Sequence, residues 1–172
     1  MKIQDHIRVI EDFPTVGISF KDITPLLKDP TAFRYAVDRL ADYGNSRGAT
    51  VVVGPEARGF AVGAPVAYAL GVGFVPVRKQ GKLPDRTLSL AYDLEYGHDH
   101  VEIHADALAA TDRVLIVDDL LATGGTVNAV AQLVERSGAA IAGFGFLIEL
   151  VALQGRVRIE GYDALSLVRY EY

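Results

Sequence analysis

The sequence predicts an α/β fold, a mostly parallel sheet with helices on both faces, and three observations lead there. Short β-branched or aliphatic runs alternate with segments of about ten to fifteen residues whose apolar side chains recur at helical spacing. One stretch, residues 78–96, breaks that alternation: a basic cluster, RKQGK, and Pro84 lead into the period-two pattern TLSLAYDLEY of an antiparallel ribbon. Finally, the 172 residues are 50% hydrophobic and 23% charged, with no repeat, low-complexity tract or polar linker, so one domain over residues 1–172 is expected.

The elements follow in order. Asp29-Pro30 reads as a helix start, a capping carboxylate followed by a proline whose missing N–H costs nothing there. Phe33, Ala36, Val37, Leu40 and Ala41 then fall on one helical face. Residues 50–53 form a buried strand ending at Gly54-Pro55, and residues 59–70 a helix stopped by a left-handed Gly71. Residues 72–77 are the next strand, and after the ribbon comes another at residues 113–117. Val127, Val130, Ala131 and Val134 mark the inner face of a helix closed by Gly138, and residues 141–150 and 164–168 supply later strands.

Composition removes several classes of function. A net charge of −5 argues against an electrostatic grip on nucleic acid, which needs a basic surface to displace counterions. With no cysteine, disulfides, thiolate nucleophiles and sulfur-based zinc sites are excluded. The start, MKIQDHIRVIEDF, lacks the continuous apolar core of a secretion signal, and no apolar run approaches the roughly 20 residues of a membrane span. No membrane partner and a cytoplasmic location are the expectation. Four histidines, His6, His98, His100 and His104, show no metal-ligand spacing; His98 and His100 flank Asp99 in what reads as a solvated turn.

The chemistry concentrates in VLIVDDLLATGGT, residues 114–126. An apolar strand delivers Asp118 and Asp119 at its C-terminal end, where open α/β sheets place their ligands. Ala122, Thr123, Gly124, Gly125 and Thr126 follow, small enough for backbone N–H groups to approach an anion, and a helix then opens with its free N–H groups. Carboxylates can accept from vicinal hydroxyls while the loop cradles a phosphate, and together these describe a phosphorylated ribose. A Walker A loop is excluded, since no lysine follows at its position, and the GFGF at residues 143–146 lies inside a strand rather than opening a helix.

This segment resembles the phosphoribosyl pyrophosphate motif of the type I phosphoribosyltransferases. With DFPTVGISFKDITPLLKDP (residues 12–30), GPEARGF (54–60), RKQGKLP (78–84) and YDLEYG (92–97), the resemblance spans nearly the whole chain and points to the adenine branch of that family. It implies the type I fold, with a short N-terminal hood and a flexible antiparallel ribbon, and a transfer of phosphoribose from its pyrophosphate to adenine. By the resemblance, Asp118 and Asp119 hold the ribose hydroxyls, and Ala122, Thr123, Gly124, Gly125 and Thr126 hold the 5-phosphate. Ala57 and Arg58, with a cis Glu56–Ala57 peptide, are expected at the pyrophosphate together with Lys79 and Lys82, of which Lys82 is preferred. Glu95, beside Tyr96 on the ribbon, is the implied acid/base, and Phe20, Lys21 and Leu120 the implied base pocket. The family commonly carries arginine where this chain has Lys21, and lysine lacks the planar two-point fork. Magnesium is expected to arrive on the substrate's pyrophosphate rather than in a protein cage, and a homodimer is implied.

Three alternatives stay open at this level. The base could be a 6-oxopurine such as hypoxanthine, guanine or xanthine; the chain could be a non-catalytic sensor of phosphoribosyl pyrophosphate; or it could be a plain phosphate-sugar binding module. A sensor acting on DNA would need a basic element for which the chain has no room, and a binding module would leave the basic ribbon without a purpose.

Overall fold

The structure, a computed structural model, describes residues 1–93 and 97–171. A seven-stranded sheet organises them. Its strands are β3 (Val51–Pro55), β4 (Gly73–Lys79), β5 (Thr87–Asp93), β6 (His98–His104), β7 (Arg113–Leu121), β8 (Ala140–Leu150) and β9 (Ala164–Tyr170), in the order β5-β6-β4-β3-β7-β8-β9. β4, β3, β7, β8 and β9 run parallel, while β5 and β6 join antiparallel at one edge. The remaining elements are the paired hood strands β1 (Arg8–Ile10) and β2 (Phe20–Asp22) and the helices α1 (Thr24–Lys28), α2 (Pro30–Ser46), α3 (Arg58–Leu70) and α4 (Gly125–Arg136).

Local chemistry accounts for the ends of these elements. Asp29 caps α2, its carboxylate accepting from the N–H groups of Thr31 (3.0 Å) and Ala32 (2.9 Å). Gly71, at φ 73°, closes α3 in the left-handed conformation expected of a glycine cap.

The sheet is buried on both faces, and β7 shows how. Val114 and Ile116 face α4 and pack with Val130, Phe144 and Phe146, whereas Leu115 and Val117 face α2 and α3 and pack with Leu40, Val62 and Leu147. From the centre of the sheet, β3 connects through α3 to a neighbour on one side, and β7 connects through α4 to a neighbour on the other. The strand order therefore reverses between β3 and β7, and a crevice opens beyond their C-terminal ends.

Several boundaries differ from the sequence expectation. β7 runs on to Leu121 rather than ending at Val117, because β8 continues to pair with it through Asp118, Leu120 and Leu121. His98 and His100 stand in strand β6, not in a turn, opposite Asp93 and Ala91 of β5. The ribbon is the β5–β6 pair, and its root joins the sheet through Arg78 opposite Glu102 and Lys79 opposite Val101. Among the described residues no helix is long and apolar enough to cross a membrane.

Candidate active site

A cleft of about 390 Å³ occupies the crevice, lined by Glu56, Ala57, Arg58 and the continuous run from Asp118 to Val127. Two strand ends build it. β3 delivers Glu56 and a cis Glu56–Ala57 peptide, after which Arg58 opens α3. β7 delivers the acid pair, and the loop beyond it turns directly into α4.

The two halves touch. Arg58 Nε lies 2.6 Å from Asp119 Oδ2, and Asp119 is only 6% exposed. A Cβ on Gly59 would stand 2.9 Å from the Pro55 ring and 3.1 Å from Asp118 Oδ1, so glycine lets the start of α3 close onto the acid pair. Asp118 Oδ1 accepts from the N–H of Asp119 at 2.8 Å. Burial pushes the Asp118 carboxyl well above its ordinary range, and the neighbouring charge of Asp119 adds to this.

The loop of residues 122–126 is held from behind. Gly124 has φ 85°, and a Cβ there would stand 2.6 Å from the Gly155 carbonyl oxygen. Its own carbonyl accepts from Asn128 N at 2.9 Å, starting α4. The exposed N–H end of α4 thus faces the cleft, a favourable environment for an anion.

Of the residues expected from sequence, Ala57, Arg58, Asp118, Asp119, Leu120, Ala122, Thr123, Gly124, Gly125 and Thr126 come together in this cleft. Phe20 approaches from the hood, its ring 5.7 Å from the Arg58 guanidinium and 5.2 Å from the Phe13 ring. Lys21 does not line the cleft. It follows Phe20 on a strand, so its side chain takes the opposite side, 7% exposed, with Nζ 4.5 Å over the Tyr170 ring and donating to Ser19 Oγ at 2.9 Å. Lys79 and Lys82 lie at the ribbon root, also outside the cleft lining. Lys79 pairs with Asp99 at 3.6 Å, and Lys82 is exposed in a turn closed by its N–H to Lys79 O (3.2 Å). Glu95, with Tyr96, lies outside the described residues.

Three participants escaped the sequence reading. Glu56 Oε1 accepts from Lys79 N at 2.8 Å and from Arg78 Nε at 3.3 Å, tying the end of β3 to the ribbon root. Tyr92 bonds to Thr126 at the start of α4, and burial raises its phenol above the ordinary value although that bond pulls the other way. The third is the 3₁₀ turn Gly155–Ile159, which backs the loop. Period-two alternation in TLSLAYDLEY could have placed Tyr92 on the same face as Leu88 and Leu90, toward α4; nothing local marks the other two.

Known proteins similar to this chain match it over nearly its whole length. Residues 26–166 match the family model described as phosphoribosyl transferase domain. The chain is similar to the adenine phosphoribosyltransferase of Clostridium kluyveri, 59% identical over 171 residues that cover 99% of each chain. It is likewise similar to that of Desulfitobacterium hafniense, 61% identical over 165 residues covering 96% of this chain and 95% of the relative. Among solved structures, the adenine phosphoribosyltransferase of Thermoanaerobacter pseudethanolicus superposes with a TM-score of 0.94 at 56% identity, covering 98% of each chain. The Saccharomyces cerevisiae enzyme, complexed with an imino-altritol bisphosphate and adenine, gives 0.90 at 38% identity over 96% of each chain.

Proposed function

The chain belongs to the phosphoribosyltransferase family, and on that premise we propose that it joins adenine to the phosphoribosyl group of phosphoribosyl pyrophosphate, releasing pyrophosphate and forming AMP. The observation that carries this is the contiguity of a carboxylate pair and a small-residue loop in one cleft at the sheet's switch point. Full-length similarity to adenine phosphoribosyltransferases selects adenine among the purines.

In this reading the bond from the anomeric carbon to the pyrophosphate oxygen breaks with its electron pair leaving on pyrophosphate. N9 of adenine bonds to that carbon, and the ring gives up one proton. Asp118 and Asp119 accept from the ribose hydroxyls, with Asp119 exchanging its contact to Arg58 for them. The N–H groups of residues 122–126 and the threonine hydroxyls hold the 5-phosphate. Ala57, through its N–H, and Arg58 serve the departing pyrophosphate, joined by Lys79 and Lys82 from the ribbon root; their fixed charge stabilises what develops as the bond breaks. Glu95 is assigned to the proton on the purine.

Magnesium belongs to the substrate here. Among the described residues no three carboxylates or histidines are grouped to hold a metal ion, so diphosphate and hydroxyl oxygens and water would supply the ligands. When bound, the ion neutralises pyrophosphate charge. The same reading carries a homodimer, as the resemblance implies, and the cytoplasmic location expected from the sequence.

Phe20 and Leu120 are assigned to the two faces of the base. Phe20→Ala is expected to raise KM for adenine roughly tenfold, the scale of one lost base–aromatic stack, and to leave KM for phosphoribosyl pyrophosphate unchanged. Equal changes in both constants would remove Phe20 from the base pocket.

The function itself is tested by following nucleotide formation from phosphoribosyl pyrophosphate and magnesium with adenine, hypoxanthine, guanine and xanthine in parallel. AMP from adenine alone is the expected result. Product only from a 6-oxopurine would overturn the base, and no product from any base would overturn the enzyme reading.

A further inference from the structure

Behind the loop of residues 122–126 stands a turn that no substrate-facing residue explains. Gly155–Ile159 is a 3₁₀ segment packed so closely that a Cβ on Gly155 would meet the carbonyl oxygen of Ala122, with the Leu121 side chain at 2.8 Å. From the other side, Gly124 leans on the Gly155 carbonyl. The turn therefore touches both the first residue of the loop and its left-handed glycine, which together set the loop's curvature.

Two polar devices fix the turn in place. Asn128, in the first turn of α4, donates from Nδ2 to the Arg158 carbonyl at 2.6 Å. Arg156 grips Glu149 with two parallel bonds, Nε to Oε1 and Nη2 to Oε2, both 2.9 Å. Arg156 Nη1 also donates to Ala164 O at 3.2 Å, so one side chain staples the turn to both β8 and β9. Glu149 is 3% exposed and stands in register opposite Leu121, the residue that leads into the loop. Burial works to raise its carboxyl, but the bonds from Arg156 and Ser166 outweigh this and hold it below the ordinary value. A buried carboxylate kept charged in this way is a rigid anchor, since both of its oxygens are committed.

We propose that the Gly155–Ile159 turn is a positioning element for the 5-phosphate site, with Asn128, Glu149 and Arg156 as its positioning residues. The turn holds the loop N–H groups at phosphate-binding spacing before substrate arrives, so binding need not order them. This rests on the reading of residues 122–126 as the phosphate cradle. It adds a specific consequence: damage to a contact facing away from the cleft falls on the ribose 5-phosphate end of the substrate and spares the base.

Asn128→Ala removes the bond to the Arg158 carbonyl together with the one accepted from Gln132 Nε2 on the same helix, and Arg156→Lys keeps the charge beside Glu149 while losing the two-point grip. The measurements are calorimetric titration of each full-length protein with ribose 5-phosphate and steady-state kinetics with both substrates varied. Each variant is expected to bind ribose 5-phosphate roughly tenfold more weakly and to raise KM for phosphoribosyl pyrophosphate by a like factor, with KM for adenine unmoved. A lowered melting temperature with unchanged ribose 5-phosphate affinity would reduce the turn to a fold-stabilising part and overturn the proposal. So would KM values for both substrates rising together. Should the wild type form no nucleotide from any base, the functional reading falls, yet ribose 5-phosphate binding that weakens in the variants would still uphold the turn's role.

Discussion

Gly124→Ala is expected to abolish measurable transfer and to cost the fold about 2–4 kcal/mol, combining a left-handed backbone penalty with overpacking against main chain. Gly124 sits at φ 85°, and its added methyl would stand 2.6 Å from the Gly155 carbonyl oxygen and 3.1 Å from Arg158 Cβ. The first of these is backbone, held by Arg156 and Asn128, so neither side can give way cheaply. Relief would come from turning the loop N–H groups out of the cleft. Urea unfolding and kcat/KM for phosphoribosyl pyrophosphate check the two halves separately. A variant with wild-type kcat/KM would show that the loop does not carry the phosphate.

Asp118→Asn is expected to trade function for stability. Losing a charged acceptor for a ribose hydroxyl, at about 1.5–3 kcal/mol, should lower kcat/KM for phosphoribosyl pyrophosphate by roughly 10–10²-fold. The stability change has the opposite sign. The Asp118 carboxyl is raised in the folded state by burial and by Asp119, so the native protein binds that proton more tightly than the unfolded chain. Wild-type stability is therefore free of the penalty below the ordinary aspartate range and falls as pH rises to the elevated folded value. Asparagine carries no such penalty. Urea midpoints should coincide in acid and favour the variant at neutral and alkaline pH; a variant less stable at neutral pH would refute this. The same titration should give the wild type an acid limb in kcat/KM at a pH above the usual carboxylate range, since a protonated Asp118 accepts poorly from hydroxyls.

How much of this was legible beforehand depended on sequence distance. The long parallel strands announced themselves as apolar runs, and Asp29-Pro30 and Gly71 marked helix ends because capping is local chemistry. The hood strands β1 and β2, at three residues each, are too short for any period to show. In the site, the acid pair and its loop could be read together because they are continuous. Arg58 and Asp119 are 61 positions apart, and only the parallel pairing of β3 with β7 brings them to 2.6 Å. Lys21 illustrates the converse. Adjacent to Phe20 in sequence, it is separated from it by the pleat, which sends one side chain toward Arg58 and the other under Tyr170. Arg156 was invisible because its meaning lies in Glu149, and a strand carboxylate cannot be distinguished as buried until the neighbouring strands are known.

Glu56 divides the molecule in a way that matters for anyone altering it. By accepting from both Lys79 N and Arg78 Nε, it makes the segment before Arg58 and the root of the ribbon a single mechanical unit, whereas the loop after Asp119 answers to a separate pin at Glu149. The two units share the β3–β7 pairing and meet again across the cleft through Arg58 and Asp119, while Tyr92 of the ribbon touches the loop at Thr126. Grafting a ribbon of different length or charge would act first on the leaving-group side, and would reach the sugar-phosphate side through Tyr92. Rebuilding the hood around Phe20 would bear on the base and, through the ring's contact with Arg58, on the leaving group, so substrate preference, departure and anchoring change together rather than one at a time.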